Sequence, residues 1–580
     1  MADMVVLVVV AALFLAMGGS INAAVVEHTF LVSEVTLRHL CRDTVATVVN
    51  GQLPGPALEV TEGDSVVVHV VNQSPFGVTI HWHGVKQRLT CWADGAGMVT
   101  QCPIAPNTTF TYRFDVVGQE GTLWWHAHIS TLRATMHGVI IIRPKSGSYP
   151  FPKPHQDVPI VIADFWQNDL RQVQKDLELW IADGDHSKDG PASATINGKI
   201  GDLYNCSGVA QDDTFVLDVE PGKTYMLRLA NAALSNEYYF KVAGHRLTVV
   251  GSDANYLRPY NATGDIVAIA PGETLDVLMV ADAPPCHSYY MVALGTQSPP
   301  PAPQTATRLA RGIVRYPDSH GEAMEPQMPD QHDRTTSFHF HGNMTGYPNN
   351  PLLPQIRAHV HDKFFLTLGM GTIRNHTVHV ANINNVSFHL PQGRSLLEAR
   401  YHGAELVTAT EEMSARPPLE FDYTDPVLIN FFNRSAKLLE LEPSRRATTM
   451  RHIAYNSTVE VVFQSTTLME DSPNPMHLHG HDFFVLAQGI GNYDAARDTA
   501  SYNLVDPPVK NTVMVTGLGW AAVRFVADNP GNWFLHCHYE FHMGMGMATV
   551  FEVGNGPTPE TALPPPPADL PRCDRSIAYE

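Results

Sequence analysis

VRFVADNPGNWFLHCHYEFHMGMGM, from Val523 to Met547, and YRFDVVGQEGTLWWHAH, from Tyr112 to His128, repeat one pattern: an Arg-Phe strand, a glycine turn, aromatics and a closing H-x-H. A second matched pair precedes them, HWHG at His81 to Gly84 and HLHG at His477 to Gly480. The first and last parts of the chain are therefore related modules, and the middle carries no such pair. Outward from these anchors, alternating segments follow turn signals: EGDSVVVHVVN from Glu62, PGKTYMLRLANA from Pro221, PGETLDVLMVADA from Pro271 and NSTVEVVFQST from Asn456. Short strands punctuated by Gly, Pro and Asn, with little long helical periodicity, predict an all-β chain of sandwich or barrel modules in series.

Loop-like composition separates the modules at KSGSYPFPKPHQD (from Lys145) and again from SPPPAPQTATR (from Ser298) to QMPDQHDR (from Gln327). The expected divisions are a first module over 25–147, a second over 156–318, a linker over 319–344, a third over 345–560 and a Pro-rich tail over 561–580. The tail reads as extended chain, and Cys573 within it needs a tether to lie on the surface. A length of 580 residues supplies several cores. With 38 Lys and Arg against 58 Asp and Glu, the net charge of -20 argues against nucleic acid and anionic membranes as partners.

The apolar run VVLVVVAALFLAM from Val5 ends in small residues near Ala23 and Ala24. It is short for a membrane span and reads as a signal peptide over 1–24, although MADM lacks the usual Lys or Arg. Nine N-x-S/T sequons agree with export, at Asn72, Asn107, Asn205, Asn261, Asn343, Asn375, Asn385, Asn433 and Asn456. In an oxidising compartment the seven cysteines allow up to three disulfides and leave one thiol for chemistry.

Four H-x-H motifs supply eight imidazoles: His81 and His83, His126 and His128, His477 and His479, His536 and His538. One metal cannot use so many. On a strand, residues two apart share a face, so His536 and His538 point one way and Cys537 the other. One tripeptide thus joins two metal sites. His542 and Met547, five and ten residues beyond the thiol, are placed for a loop returning to its side. Cys, His and a weak Met donor make a blue-copper set. A zinc hydrolase would leave His-Cys-His and most imidazoles unexplained. An isolated H-x-H is usually an ordinary strand or surface feature, and FHFHG around His339 and His341 is read that way. Replacing both of its histidines should leave copper content unchanged.

The segments VNGQLPGP, HWHGVKQ, WADG, TLWWHAH, PMHLHGHDFFVLAQG and HCHYEFH resemble those of plant laccases, members of the multicopper oxidase family, over essentially the whole mature chain. The resemblance implies three cupredoxin-like Greek-key domains holding four coppers, with a trinuclear cluster between the first and third domains. It implies type 2 ligands at His81 and His477, and type 3 ligands at His83, His126, His128, His479, His536 and His538. Type 1 ligands would be Cys537, His542 and Met547. The family pattern H-P-x-H-L-H-G is broken at its first position, where this chain has Asn474. An amide oxygen is a harder, weaker donor for copper than imidazole. Asn474 or water is therefore expected to complete the type 1 site. The resemblance also pairs Cys102 with Cys573 and Cys41 with Cys206, and leaves open a bridge between Cys91 and Cys286.

By the same resemblance the chain is a laccase-like oxidase, coupling one-electron oxidation of phenols, monolignols among them, to four-electron reduction of O₂ to water. Electrons would pass from the type 1 site through Cys537 to His536 and His538. Asp94 and Glu540 are candidate proton-relay carboxylates; their ordinary alternatives are a turn cap and a residue orienting a ligand histidine. A secreted, apoplastic monomer is expected. The rival readings are an ascorbate or metal-ion oxidase on the same scaffold and a non-catalytic cell-wall cupredoxin glycoprotein.

Overall fold

The computed structural model describes residues 23–183, 190–203, 213–298, 307–348, 350–357, 359–373, 378–407, 409–429, 436–443, 445–469 and 471–573. Most of the expected signal peptide, Cys206, the sequon residues Asn205, Asn375 and Asn433, and the end of the tail lie outside them. No described helix is long and apolar enough to cross a membrane.

The first domain faces two four-stranded sheets across one core. One runs in the order Arg42–Val49, Val25–His39, Ser65–Asn72, Thr109–Asp115; the other runs Leu58–Thr61, His137–Arg143, Gly121–Ala127, Ile80–His83. Ser65–Asn72 shows why: Val66, Val68 and Val70 alternate inward while the residues between them stay partly exposed, the period of a half-buried strand. The second domain packs a six-stranded sheet on a five-stranded one. The third domain's sheet has thirteen strands, twelve along one hydrogen-bonded path and Thr410–Glu412 pairing off it with Arg445–Ile453. Its strands Ser457–Ser465 and Gly519–Ala527 are buried along their whole length. Val459, Val461 and Phe463 face one apolar cluster and Val462 another, so both faces of that sheet are covered.

Short helices interrupt the strands among the described residues, and the two longest bear on the site. Leu170–Asp183 inserts between domains, with Leu170 and Val173 in the first-domain core and Leu177 in the third-domain core. Arg334–Gly342, started by Asp333 accepting from the Thr335 amide, contains FHFHG. On a helix, residues two apart diverge by about 200°. His339 is exposed, whereas the His341 ring turns inward to Glu273, 2.9 Å away.

Cys102 and Cys573 form a disulfide, fastening the tail to the first domain. The Trp92 indole N–H donates to Pro564 O at 2.9 Å along the same seam. Cys41 is disulfide-bonded; its expected partner Cys206 is among the residues not described. Cys91 and Cys286 are both free, one buried and one exposed, so the third bridge does not form. Asn72 is fully buried, with its amide N–H groups on Phe76 O and Ile104 O and its oxygen taken by Ser74. This sequon is closed to a glycan in the folded chain.

Candidate metal centre

In both terminal domains a strand carrying one H-x-H lies antiparallel to a strand carrying another. His81 stands opposite His126, and His477 stands opposite His536. The period of two puts all the histidines of each pair of strands on one face, and the two faces meet. WADG closes the wall beside them: Gly95 has φ +80°, and a Cβ there would lie 1.8 Å from Ile80 O. Only glycine allows that approach.

The eight rings sort into two groups of three and a remaining pair. His83, His126 and His538 form one group and His128, His479 and His536 the other, each with ligand atoms within 4.8 Å of one another. His81 and His477 join His83 in a further group that links the first and third domains. Backbone carbonyls orient the rings: Nδ1 of His81 meets Asp94 O at 2.7 Å, His126 meets Ala127 O at 2.8 Å, His477 meets Asn511 O at 2.8 Å and His536 meets Cys537 O at 2.9 Å. This fixes which nitrogen faces the centre.

Those inward nitrogens have no conventional partners. Nε2 of His81, His126 and His477 are buried without a hydrogen bond. Elsewhere ring nitrogen faces ring nitrogen, His479 Nε2 to His536 Nε2 at 3.1 Å and His538 Nε2 to His83 Nδ1 at 3.2 Å. Burial first, then mutual repulsion, holds His83, His477 and His479 far below the ordinary imidazole range. Burial does the same to His126, His128, His536 and His538. Unprotonated lone pairs aimed at one point are what a cation satisfies.

On the opposite face of the His536–His538 segment the donors change. Cys537 Sγ lies 3.6 Å from His542 Nδ1 and 3.8 Å from Asn474 Oδ1, and that oxygen is 3.0 Å from the same imidazole nitrogen. The Asn474 amide N–H groups are drawn off to Ser472 O at 3.1 Å and Ser465 Oγ at 3.4 Å. Its oxygen is therefore the end presented to the thiol. Met547 is tied to the same loop: its amide donates to His542 O at 2.8 Å, its carbonyl accepts from the Cys537 amide at 3.0 Å, and its side chain is buried in the same apolar cluster as Cys537.

Three family models described as multicopper oxidase match residues 31–147, 156–318 and 412–557. Laccase-15 of Oryza sativa subsp. japonica is 54% identical over 573 residues, covering 94% of each chain. Laccase-7 of Arabidopsis thaliana is 45% identical, covering 97% of this chain and 98% of its own. The chain belongs to the multicopper oxidase family, among the plant laccases. Its fold is that of the crystal structure of the laccase from Botrytis aclada, with TM-score 0.69, 24% identity, and coverage of 94% of this chain and 89% of that one. Copper is accordingly the cofactor of this laccase, and the converging imidazoles and the thiol-imidazole-thioether pocket are donor sets suited to it.

The structure brings Asp94 into the centre of this laccase's histidine cluster. Its Oδ2 accepts from His479 Nδ1 at 2.9 Å, its Oδ1 lies 3.4 Å from His81 Nδ1, and it is fully buried. Glu540 is placed differently. It pairs with Arg133 at 3.3 Å, and Arg133 donates to the carbonyl of His538 at 2.9 Å. Burial raises the Glu540 carboxyl above its usual range, against the pull of Arg133. Neither His339 nor His341 belongs to any of the ligand groups.

Two residues at the cluster carry no sequence signal. Thr512 puts its hydroxyl 3.1 Å from both His477 Nδ1 and His83 Nε2. Gly272, from the second domain, backs His538 so closely that a Cβ would sit 2.9 Å from the ring. The strand pairing of Thr512 opposite His477 was the one clue available, and it needs the register to be seen.

Proposed function

We propose that this laccase oxidises small phenols, monolignols among them, at the Cys537 pocket and reduces O₂ at the eight-histidine cluster. It is exported to the cell wall as a monomeric glycoprotein. The observation that carries the reading is the segment His536–His538, whose thiol and two imidazoles serve the two donor sets from opposite faces of one strand. Copper, when bound, supplies the one-electron redox steps and the site at which O₂ is reduced.

The chain's own residues do the rest. His83, His126 and His538, and His128, His479 and His536, are the type 3 sets; His81 and His477 are the type 2 pair. Cys537, His542 and Met547 hold type 1 copper, and the turned Asn474 oxygen takes the place of a second imidazole. Asp94, touching His81 and His479, is placed to hold a proton beside the cluster. Glu540 has Arg133 as its partner, which supports a positioning role on the His538 carbonyl. Export is supported by the N-terminal apolar run and by the exposed sequons at Asn107, Asn261 and Asn343.

Oxygen uptake by the copper-loaded protein with a phenol, ascorbate and ferrous iron tests the reading. Uptake should be fastest with the phenol. Preference for ascorbate or iron would reassign the substrate, and no uptake with any reductant would leave only a copper-binding glycoprotein.

A further inference from the structure

Between the second and third domains lies a buried knot of charge that phenol oxidation does not use. Lys510 places Nζ 3.3 Å from Asp253 Oδ2 and 3.2 Å from Glu273 Oε1. Glu273 Oε2 meets His341 Nε2 at 2.9 Å, and the other nitrogen of that ring faces Ser337 O at 2.9 Å. Lys510, Asp253 and Glu273 are each at most 3% exposed. Buried ion pairs are weak contributors to stability compared with apolar packing of the same volume. What this one touches is more informative.

One arm runs from Asp253. Its Oδ2 accepts the amides of Asn511 at 3.1 Å and Thr512 at 3.2 Å. The Asn511 carbonyl then orients His477, and the Thr512 hydroxyl stands between His477 and His83. The other arm runs from Glu273, which accepts the Ala270 amide at 2.8 Å and so closes the turn containing Gly272. Gly272 backs the His538 ring, and its carbonyl accepts from the Trp124 indole at 3.1 Å. Trp124 in turn lies 4.3 Å, centroid to centroid, from His126.

We propose that Lys510 is a positioning residue of the copper cluster: by holding Asp253 and Glu273 together it fixes the two backbone segments, Asn511–Thr512 and Ala270–Glu273, that aim His477, His83, His538 and His126. The middle domain, without a metal motif, is thereby part of the cluster's scaffold. The inference rests on the reading that these histidines hold copper.

The test compares wild type, Lys510→Met, Lys510→Arg and the charge-matched Lys510→Met/Glu273→Gln pair by copper per chain, chelator resistance, the electron paramagnetic resonance of the cluster copper and the absorption band of the Cys537 site. Loss of Lys510 is expected to make cluster copper about 10–100-fold easier to extract, the range for residues that orient metal ligands. Its resonance should change while the Cys537 band stays intact, and Lys510→Arg should recover most of the loss. Asp253→Asn, which keeps the side chain's size, should show the same selective loss if the Lys510 variants do not fold. Unchanged extraction and resonance, or a parallel decline of both copper signals, would overturn the proposal. Absence of cluster copper from the wild type would instead overturn the reading beneath it.

Discussion

The first and third domains build the same loop with opposite chemistry. In the third, the Cys537 amide donates to Met547 O and the Met547 amide to His542 O; in the first, the Ala127 amide donates to Met136 O and the Met136 amide to Leu132 O. Position for position, Asn474, Cys537, His542 and Met547 answer to Val78, Ala127, Leu132 and Met136. All four first-domain residues lie in that domain's apolar core. The inward histidines are kept in both domains, whereas the amide, thiol and imidazole of Asn474, Cys537 and His542 are replaced by the hydrocarbon of Val78, Ala127 and Leu132, and only the methionine is common to both. A cluster between domains needs both halves; an electron-entry site needs only one.

Cys537→Ala makes the third domain like the first and has the largest expected effect. Phenol-driven oxygen uptake should fall to background and the thiolate absorption band should vanish, as assays of the purified variant would show. Asp94→Asn attacks what the two domains share, since Asp94 reaches a histidine from each. A loss of about 10–100-fold in copper affinity or oxygen-reduction rate is expected, and unchanged oxygen reduction across pH would withdraw its proton role. Asn474→His exchanges an amide oxygen for imidazole, and copper retention at the thiolate pocket should rise about tenfold, equivalent to ~1.4 kcal/mol. Equal retention in titrations with a chelator would mean that Asn474 already serves as well. The smallest effect belongs to Ala127→Cys. A thiol there faces Leu132 in place of an imidazole, so no second charge-transfer band should appear.

Much of this comparison was legible in the sequence because strands repeat every two residues. H-x-H on a strand presents both rings together, and the intervening Ala127 or Cys537 can be assigned to the other face without coordinates. The break at Asn474 was equally visible, though which end of its amide meets the thiol depended on Ser465 and Ser472. FHFHG, read as an ordinary feature, lies on a helix that separates His339 from His341, and neither joins a ligand group. The helix Leu170–Asp183 escaped notice because its inward residues Leu170, Val173 and Leu177 are spread among charged and amide side chains. The second domain's contribution was invisible for another reason: Gly272 and Asp253 act on the cluster through backbone groups, which leave no pattern of side-chain types.

Copper per chain, measured on wild type and Cys537→Ala prepared side by side, tests the division into two sites most directly. Four coppers in the wild type and three in the variant are predicted, because the eight imidazoles keep every contact when the thiol is removed. Equal copper in both proteins, or loss of the cluster copper together with the thiol, would contradict it.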